Sequence, residues 1–497
     1  MDQIPSQLDY YGIKKAELGI GTYGQVDLYQ KDNNYYAIKK SNILNNSLEH
    51  PEIREIVLLT SIKKHMKHPN IICIHDAFFE NDAFYLVMPY FGYRLTKYIK
   101  SKNRTRSINK EIIYQILSGL AYLHSFGIIH RDLTPSNILI VNNMIKIIDF
   151  GLAKRTDSTK EIFKNTLGMC SLWYRAPEII FGNNYYDNKV DIWSVGCILA
   201  ELLTGIGLFE VNDEDELATK ILLLFGSFDN TIFSNKIKPE KVVKYMNDSP
   251  EYDQYLHYKF YTDLNDINDD NNNCYQWLKK LLSLNPMTRI SAKDAMEDMF
   301  VETVRNIKYE KIFTLEEQIQ IRLPQFYTLS LYQNIESYAP LRRDCLMTIL
   351  EICIDQNMLN NTYFLTVTVF DKYLIDYWDI LDWGLIDLMA LSFLSIMSKF
   401  HHTEYLNLQN ALKFYIKQYS DLEVYHMEQK ILQDLNFDLD YSTVYDLLVY
   451  HNINFQKSLK RAAHMVTTDL LFRHGLTEFV ILAINESNMR QINTTKK

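Results

Sequence analysis

The sequence has few cysteines, and no two of them form a Cys-x-x-Cys pair. The six cysteines are Cys73, Cys170, Cys197, Cys274, Cys345 and Cys353. Their scarcity and spacing disfavour a zinc site and fit a reducing compartment. The first residues, Met1 to Gly12, include acidic side chains and contain no apolar run, so they do not resemble a signal peptide. We therefore expect a soluble intracellular protein, in the nucleus or the cytoplasm.

A surplus of basic charge is also missing. The chain has 52 Lys and Arg against 61 Asp and Glu, a net charge of −9. This balance argues against direct nucleic-acid binding, which needs a basic surface to neutralise phosphates. Long uncharged apolar runs are missing as well. The most apolar stretch, Leu381 to Met397, contains Asp382 and Asp387, so we interpret it as a buried helix rather than a membrane span.

The remaining composition is that of a globular protein with several folding units. Of the 497 residues, 47% are hydrophobic and 23% are charged. Residues 8–100 predict short strands, including 35–38 and 84–87, and one helix at 52–62. Residues 100–305 predict mostly helices, with a solvated loop at the polar run 265–273. Residues 301–335 are charged and irregular, and helical patterns with almost no glycine continue from 336.

A glycine-rich turn, Gly19 to Val26, lies near the beginning of the chain. Glycine lets the backbone approach phosphates closely, although this motif alone fits any tight hairpin. The interpretation of this turn as a phosphate-binding loop is supported by Lys39, which follows on a predicted strand. A lysine facing the interior needs a counter-charge, and Glu55 on the next predicted helix can supply it.

The most specific motif is His130-Arg131-Asp132-Leu133-Thr134-Pro135-Ser136-Asn137, followed by Asp149-Phe150-Gly151. The apolar segments between them predict a hairpin, which brings two carboxylates and one carboxamide to neighbouring loop ends. Phosphoryl transfer requires a carboxylate that accepts the hydroxyl proton and hard oxygen ligands for magnesium. Two further features follow in order along the chain, the motif around Ala176-Pro177-Glu178 and then Arg289, and they complete this set of motifs.

This ordered set resembles a eukaryotic protein kinase over residues 8–305. The resemblance implies an α+β bilobal fold, with a small β-rich lobe and a large helical lobe, that uses ATP and Mg²⁺. Asp132 would be the catalytic base, Lys39 would hold phosphates and pair with Glu55, and Asn137 and Asp149 would bind magnesium. Glu178 would pair with Arg289. The implied ATP-contacting residues are Ile20, Gly21, Thr22, Tyr23, Gly24, Val26, Ala37, Lys39, Met88, Tyr90, Phe91 and Leu139.

Within the kinases, Pro51 to Ile56 resembles the regulatory helix of the cyclin-dependent group. The pair Tyr174-Arg175 marks a wider class that prefers proline after the target Ser or Thr. By this resemblance Thr166 aligns with an activating phosphorylation site, and Thr22 and Tyr23 align with inhibitory sites. A phosphate on Thr166 needs cations nearby. The positions that would supply them hold Arg54, Arg131 and Lys154.

Two residues depart from the kinase pattern. Thr134 stands where Ser/Thr kinases usually carry a lysine near the γ-phosphate, and the loss of that cation would slow the enzyme. Pro89 in the hinge removes one backbone donor. With Lys154 they motivate a different hypothesis, in which the chain is a weak or inactive pseudokinase scaffold that binds cell-cycle or transcription regulators.

The segment Leu365 to Val369 alternates like a strand, yet Tyr363, Val367, Phe370 and Leu374 form a helical stripe that leaves out Asp371. The resemblance decides for helices, since 362–374, 386–400 and 427–437 resemble the second, third and fifth helices of a cyclin box. By this resemblance Lys399 and Glu428 would contact the kinase around its regulatory helix. Their alternative is a surface charge pair.

These resemblances predict four segments: a kinase domain at 1–305, a linker at 306–335, an all-α cyclin-like domain at 336–440 and a truncated second cyclin fold at 441–497. The combined hypothesis is a cyclin-dependent-type kinase with a built-in activator that acts on the helix bearing Glu55. Activation would occur in cis, or in trans within a dimer, and the substrates would be proteins with Ser/Thr-Pro sequences.

Overall fold

The computed structural model describes residues 6–21, 24–42, 50–65, 67–101, 104–155, 171–181, 186–225, 269–304, 339–358, 361–401, 406–443 and 445–446, together with Arg322 and Ala463. The chain divides into two compact units. The first unit comprises Met1–Met66, Cys73–Pro89 and Thr314–Lys497. The second comprises Lys67–Ile72 and Tyr90–Phe313. The first unit thus joins an N-terminal β-rich part with the C-terminal helices.

The strands are short and precede most of the helices. They are β1 (Ile13–Gly21), β2 (Gly24–Lys31), β3 (Asn34–Asn42), β4 (Asp76–Glu80), β5 (Ala83–Pro89), β6 (Tyr93–Arg94), β7 (Ile128–Ile129), β8 (Ile138–Val141), β9 (Met144–Ile147) and β10 (Lys154–Arg155). The segments 35–38 and 84–87, predicted as strands from sequence, lie in β3 and β5.

Helices make up most of the remaining described structure. They are α1 (His50–His65), α2 (Leu95–Ile99), α3 (Arg106–Ser125), α4 (Pro177–Ile180), α5 (Lys189–Thr204), α6 (Glu214–Phe225), α7 (Asp269–Leu281), α8 (Ala292–Met296), α9 (Ala339–Asp355), α10 (Asn361–Asp376), α11 (Ile386–His401), α12 (Leu408–Ala411) and α13 (Asp421–Asp434). Short 3-10 helices cover Asp9–Tyr11, Pro135–Asn137, Leu172–Tyr174, Met299–Val304, Trp378–Ile380, Trp383–Leu385 and Leu412–Phe414.

The first unit contains a five-stranded antiparallel sheet in the order β1-β2-β3-β5-β4. Alternating apolar residues of β3, β4 and β5 build a core around Ile38, Phe78 and Val87. Tyr11, from the 3-10 helix before β1, joins this core, and its hydroxyl donates to Asp76 Oδ2 at 2.5 Å.

Helix α1 also belongs to the first unit, and it is apolar on more than one face. Ile53, Ile56, Val57, Leu58, Leu59 and Ile62 are all fully buried. A helix buried on several faces needs protein on each of them. The last turn carries Lys63, Lys64 and His65, cations that the helix dipole favours at this end.

The C-terminal helices of the first unit pack around α11. This helix contacts α9, α10 and α13, and it also contacts α1. The stretch Trp383–His401 is long and apolar enough to span a membrane, with a mean hydropathy of 1.3, but 72% of it is buried inside the protein. It is therefore a core helix, as the sequence predicted.

Helix α10 confirms the helical interpretation of residues 362–374. Asp371, which lies outside the predicted apolar stripe, is nevertheless fully buried, as are most residues of this helix. Arg342 of α9 makes this burial possible, since its Nε and Nη2 donate to the two carboxylate oxygens at 2.6 and 2.8 Å. Burial raises the pKa of Asp371 above its ordinary value, and the charge of Arg342 opposes that rise.

The second unit is mainly helical. Its buried helices α3 and α5 pack together, and the small sheet β6-β8-β9 lies beside α3. The predicted pair of Glu178 and Arg289 is present and fully buried, with two N–O distances of 2.7 and 2.9 Å. Such a bidentate pair satisfies both charges where water is excluded.

The polar run 265–273 was wrongly interpreted as a loop throughout, because α7 begins at Asp269. Its polar residues form the first turns of a helix whose later residues Cys274, Trp277, Leu278 and Leu281 are buried at helical spacing. The linker 306–335, apart from Arg322, lies outside the described residues. So do most of residues 441–497, for which a truncated second cyclin fold was predicted.

Candidate active site

Lys39 and Glu55 meet within the first unit. The Lys39 Nζ lies 2.6 Å from Glu55 Oε2, and the exposed fractions of their side chains are 12% and 6%. Strand β3 places Lys39 beside Val26 of β2, and α1 presents Glu55 to it. An ion pair so shielded from water depends on the position of α1, because a displacement of the helix would separate two buried opposite charges.

The glycine-rich turn joins β1 and β2, where Gly21 pairs with Gly24 and Ile20 pairs with Gln25. A Cβ on Gly24 would lie only 2.2 Å from the carbonyl oxygen of Lys40, and its φ of +146° is one that L side chains rarely adopt. Glycine is therefore required there. Thr22 and Tyr23 lie outside the described residues, so their predicted contacts stay predictions.

The other residues predicted to contact ATP fall in both units. Ala37 of β3 pairs with Met88 of β5 within the first unit. In the second unit, Leu139 lies in β8 and Tyr90 is exposed. The Lys146 Nζ lies 5.4 Å from the centre of the Phe91 ring, a cation–π contact that holds this aromatic side chain.

The catalytic loop brings Asp132 and Asn137 together. Asn137 Nδ2 donates to Asp132 Oδ2 at 2.9 Å and to the Asp132 carbonyl at 2.8 Å. The amide of Ser171 donates to Asp132 Oδ1 at 2.9 Å. Burial raises the pKa of Asp132 above its ordinary value, and the hydrogen bonds from Ser171 and Asn137 counteract the rise. Both carboxylate oxygens are thus oriented, which suits a group that accepts a proton at one defined place.

A carboxylate that the sequence analysis did not assign a role orders this loop. Asp191 at the beginning of α5 accepts the backbone amides of His130 and Arg131, both at 2.9 Å, and lies 2.7 Å from His124 Nε2. Burial alone would raise the pKa of Asp191, but these hydrogen bonds outweigh it and the pKa is lowered. A buried carboxylate therefore fixes the backbone next to Asp132. The signal in the sequence was the one aspartate of this helix, which lies in its first turn and is followed by a mainly apolar stretch.

Asp149 follows the hairpin of β8 and β9. Its φ is +66°, and that of Arg131 is +67°, a conformation that costs non-glycine residues free energy and clusters at functional sites. The Asn137 side chain donates through its nitrogen, which leaves its oxygen available as a ligand within the described part of the loop. A carboxamide oxygen and the Asp149 carboxylate fit the oxygen preference of Mg²⁺. When bound, Mg²⁺ would neutralise charge on the phosphates.

The three cations predicted to surround a phosphate on Thr166 fall in both units. Arg54 Nε donates to the carbonyl of Phe400 at 3.3 Å in the first unit. In the second unit, Arg131 Nε donates to the Leu152 carbonyl at 2.5 Å, and Lys154 lies in β10. Thr166, the predicted phosphorylation site, lies outside the described residues.

Lys399 and Glu428 lie side by side, with Lys399 Nζ 2.9 and 2.7 Å from the two carboxylate oxygens of Glu428. Among the described residues they hydrogen bond to each other rather than to α1. They are also shielded, with side-chain exposures of 13% and 3%, so the pair is not a surface pair. The contact to α1 in this region comes from the neighbouring Phe400 carbonyl.

Thr134, which replaces the expected lysine, is buried, and its hydroxyl lies 2.8 Å from that of Ser136. The neighbouring hydroxyl groups thus satisfy each other without a cation. The same loop contains the hydrogen bonds from Asn137 to Asp132.

Comparison with known proteins agrees with this geometry. Residues 13–301 match the family model of the protein kinase domain, and residues 297–440 match that of the cyclin N-terminal domain. The chain is 33% identical over 288 residues to a probable CTD kinase subunit alpha homolog of Encephalitozoon cuniculi, covering 57% of this chain and 82% of that protein. It is 32% identical over 349 residues to mitogen-activated protein kinase 12 of Rattus norvegicus, covering 66% and 88%.

A third relative, mitogen-activated protein kinase 14 of Xenopus laevis, is 37% identical over 290 residues, which cover 56% of this chain and 76% of the relative. The kinase match covers more than half of the chain. ATP and Mg²⁺ are the general cofactors of this family, and the kinase relatives support transfer to protein Ser and Thr. The chain belongs to the protein kinase family and carries a cyclin N-terminal domain after its kinase domain.

Proposed function

We propose that this chain is a proline-directed Ser/Thr kinase of the cyclin-dependent type that is activated by its own cyclin-like domain. The observation that carries the proposal is the ion pair between Lys39 and Glu55, formed while α1 packs against α11 of the C-terminal domain. A kinase of this type requires that pair for activity. Here the protein surface that holds α1 is encoded in the same chain.

The proposed chemistry assigns one role to each oriented group. Asp132 accepts the proton of the substrate hydroxyl as the oxygen attacks the γ-phosphate, and Asn137 holds the Asp132 carboxylate in place. Asn137 and Asp149 would hold Mg²⁺, and Lys39 would hold the α- and β-phosphates. Asp191 keeps the backbone beside Asp132 in one conformation. Most of the catalysis is positioning and charge neutralisation.

The proposal is tested with the full chain, labelled ATP and two peptides that differ only in Ser-Pro against Ser-Ala. We expect transfer to the Ser-Pro peptide, and a loss of at least a thousandfold with Asp132→Asn. Asp379→Asn, at an exposed carboxylate of the C-terminal domain, is the matched control and should retain full activity. Equal background from the wild type and Asp132→Asn would instead favour a scaffold without catalysis.

The same assay separates activation in cis from activation in trans. In cis, the docking surface is always present at the effective concentration set by the covalent connection, so specific activity is independent of protein concentration. A dimer that exchanges its cyclin-like domains would lose specific activity on dilution and would show twice the monomer mass by light scattering.

A further inference from the structure

The C-terminal half of α1 is held by a contact that the sequence did not predict. The Ser61 hydroxyl donates to Asp440 Oδ2 at 2.6 Å, and both side chains are buried. Asp440 follows α13 in the short segment that also supplies Asp438. The Lys64 Nζ lies 2.6 Å from Asp438 Oδ2 at the more exposed end of the helix. Two carboxylates of one segment thus bind consecutive turns of α1.

The second oxygen of Asp440 faces Arg322, a residue within the stretch 297–440 that matches the cyclin N-terminal domain. Arg322 Nη1 lies 3.4 Å from Asp440 Oδ1, and the exposed fraction of the Arg322 residue is only 5%. The carbonyl of Arg322 accepts the amide of Ser442 at 3.0 Å. Arg322 is therefore fixed through both its backbone and its guanidinium group, although it lies in a region that the sequence suggested to be irregular.

Asp440 thus contacts Ser61 of α1 through one carboxylate oxygen and Arg322 through the other. A carboxylate with 2% exposure is costly to bury unless its charge is compensated. Arg322 supplies a compensating positive charge, and Ser61 supplies a hydrogen bond. Loss of Arg322 would leave Asp440 with less compensation, so the segment after α13 and its hydrogen bond to α1 would be weakened together.

We propose that Arg322 and Asp440 are positioning residues for phosphoryl transfer, which hold α1 through Ser61 so that Glu55 stays paired with Lys39. The inference rests on the proposed kinase function and deepens it. Arg322, which precedes the helices of the cyclin-like domain in sequence, would then contribute to the activator.

The test compares Arg322→Met with Arg322→Lys in the full chain. Methionine keeps much of the apolar stem and removes the charge, whereas lysine keeps the charge. Arg343→Met is the matched control, because Arg343 is an exposed arginine of α9. We expect Arg322→Met to lower kcat/KM for ATP at least fivefold, Arg322→Lys to retain at least half of the activity, and Arg343→Met to change it less than twofold.

A second background distinguishes positioning from general destabilisation. If Arg322 acts through Glu55, then Arg322→Met should have less than a twofold effect in a Glu55→Gln protein, where the ion pair is already lost. The same fivefold loss in both backgrounds would overturn the proposal, because the variant would then act independently of the Lys39–Glu55 pair.

Hydrogen–deuterium exchange of α1 provides a readout that does not need activity. Arg322→Met should speed exchange of the α1 amides at least fivefold and leave α3 unchanged, whereas Arg343→Met should alter neither. Unchanged exchange in α1 would overturn the positioning role even if the kinase is active. Failure of the kinase proposal would appear separately, as equal transfer by the wild type and Asp132→Asn.

Discussion

Replacing Phe437 by alanine should loosen the C-terminal domain from the sheet of the first unit. Phe437 follows α13 and has 5% exposure. Its ring centre lies 6.0 Å from that of Phe79 in β4 and 5.8 Å from that of Phe84 in β5. The chain reaches this position through a left-handed turn, in which Asn436 and Phe437 have φ values of +48° and +60°.

The size of the effect follows from the burial and the two ring contacts. Truncating a buried phenylalanine to alanine costs about 3–5 kcal/mol. Within that loss, each aromatic pair contributes roughly 0.5–1.5 kcal/mol beyond its buried area. Alanine keeps the unfavourable left-handed backbone, so no relief of strain offsets the loss. A loss of about 3 kcal/mol corresponds to roughly two powers of ten in the docking equilibrium.

Hydrogen–deuterium exchange of peptides that span α1 and β4 measures this loss in the full chain. Phe437→Ala should speed their exchange strongly, and Phe437→Leu, which keeps apolar volume, should do so much less. Phe414→Ala is the matched control, because its ring is 37% exposed in the same domain. If Phe437→Ala exchanged no faster than Phe414→Ala, the aromatic contact would not hold the domain and the reasoning would be refuted.

Three further predictions concern the second unit. Thr134→Lys should raise kcat by roughly one to two powers of ten, because the cation restores a charge-assisted hydrogen bond of about 1.5–3 kcal/mol to phosphate. Thr134→Ser is the control and should leave kcat unchanged. An unchanged kcat in Thr134→Lys would contradict the prediction. Glu178→Gln leaves Arg289 buried without its counter-charge, and should lower the free energy of unfolding in urea by about 3–5 kcal/mol, whereas exposed Glu302→Gln should change it little. Burial lowers the pKa of His68 from 6.5 to about 4, so the stability that neutral His68 contributes is complete above pH 6.5 and is lost as the pH falls through 4. The difference in free energy of unfolding between the wild type and His68→Gln should therefore shrink from pH 6.5 to pH 4. A difference that stays constant over this range would refute the lowered pKa.

The parts of the site that sequence could predict are those in which short spacing determines geometry. Asp132 and Asn137 are five residues apart in one loop, so their hydrogen bond follows from local chain conformation. Lys39 and Glu55 are 16 residues apart on adjacent elements, and the need of a buried lysine for a counter-charge predicted the partner. The apolar stripe of α10 is buried as well, but so are most other residues of that helix, and the resemblance to a cyclin box was needed to decide for a helix.

The remaining contacts join residues that no local pattern connects. Asp191 binds the amides of His130 and Arg131 about 60 positions away, and Ser61 binds Asp440 across 379 positions. Neither contact alters the spacing of apolar residues along the elements that carry it, so no local pattern reveals it. Composition also misled at 269–273, where polar residues begin a helix whose buried contacts come from later turns. Such features depend on tertiary packing, which overrides local preference.

The contacts along α1 explain why one activator on the same chain can suffice. Arg54, in the N-terminal half, donates to the Phe400 carbonyl, and Ser61, two turns later, donates to Asp440. Glu55 lies between these two anchors and has 4% exposure. To move Glu55 away from Lys39, the helix must rotate or shift, which stretches both anchors at once and exposes apolar residues packed against α11. Such a motion therefore loses polar and apolar contacts together, and both losses add to its free-energy cost. For this reason we expect variants of single anchors to reduce activity in part, and a variant that removes both anchors to reduce it more than either one alone.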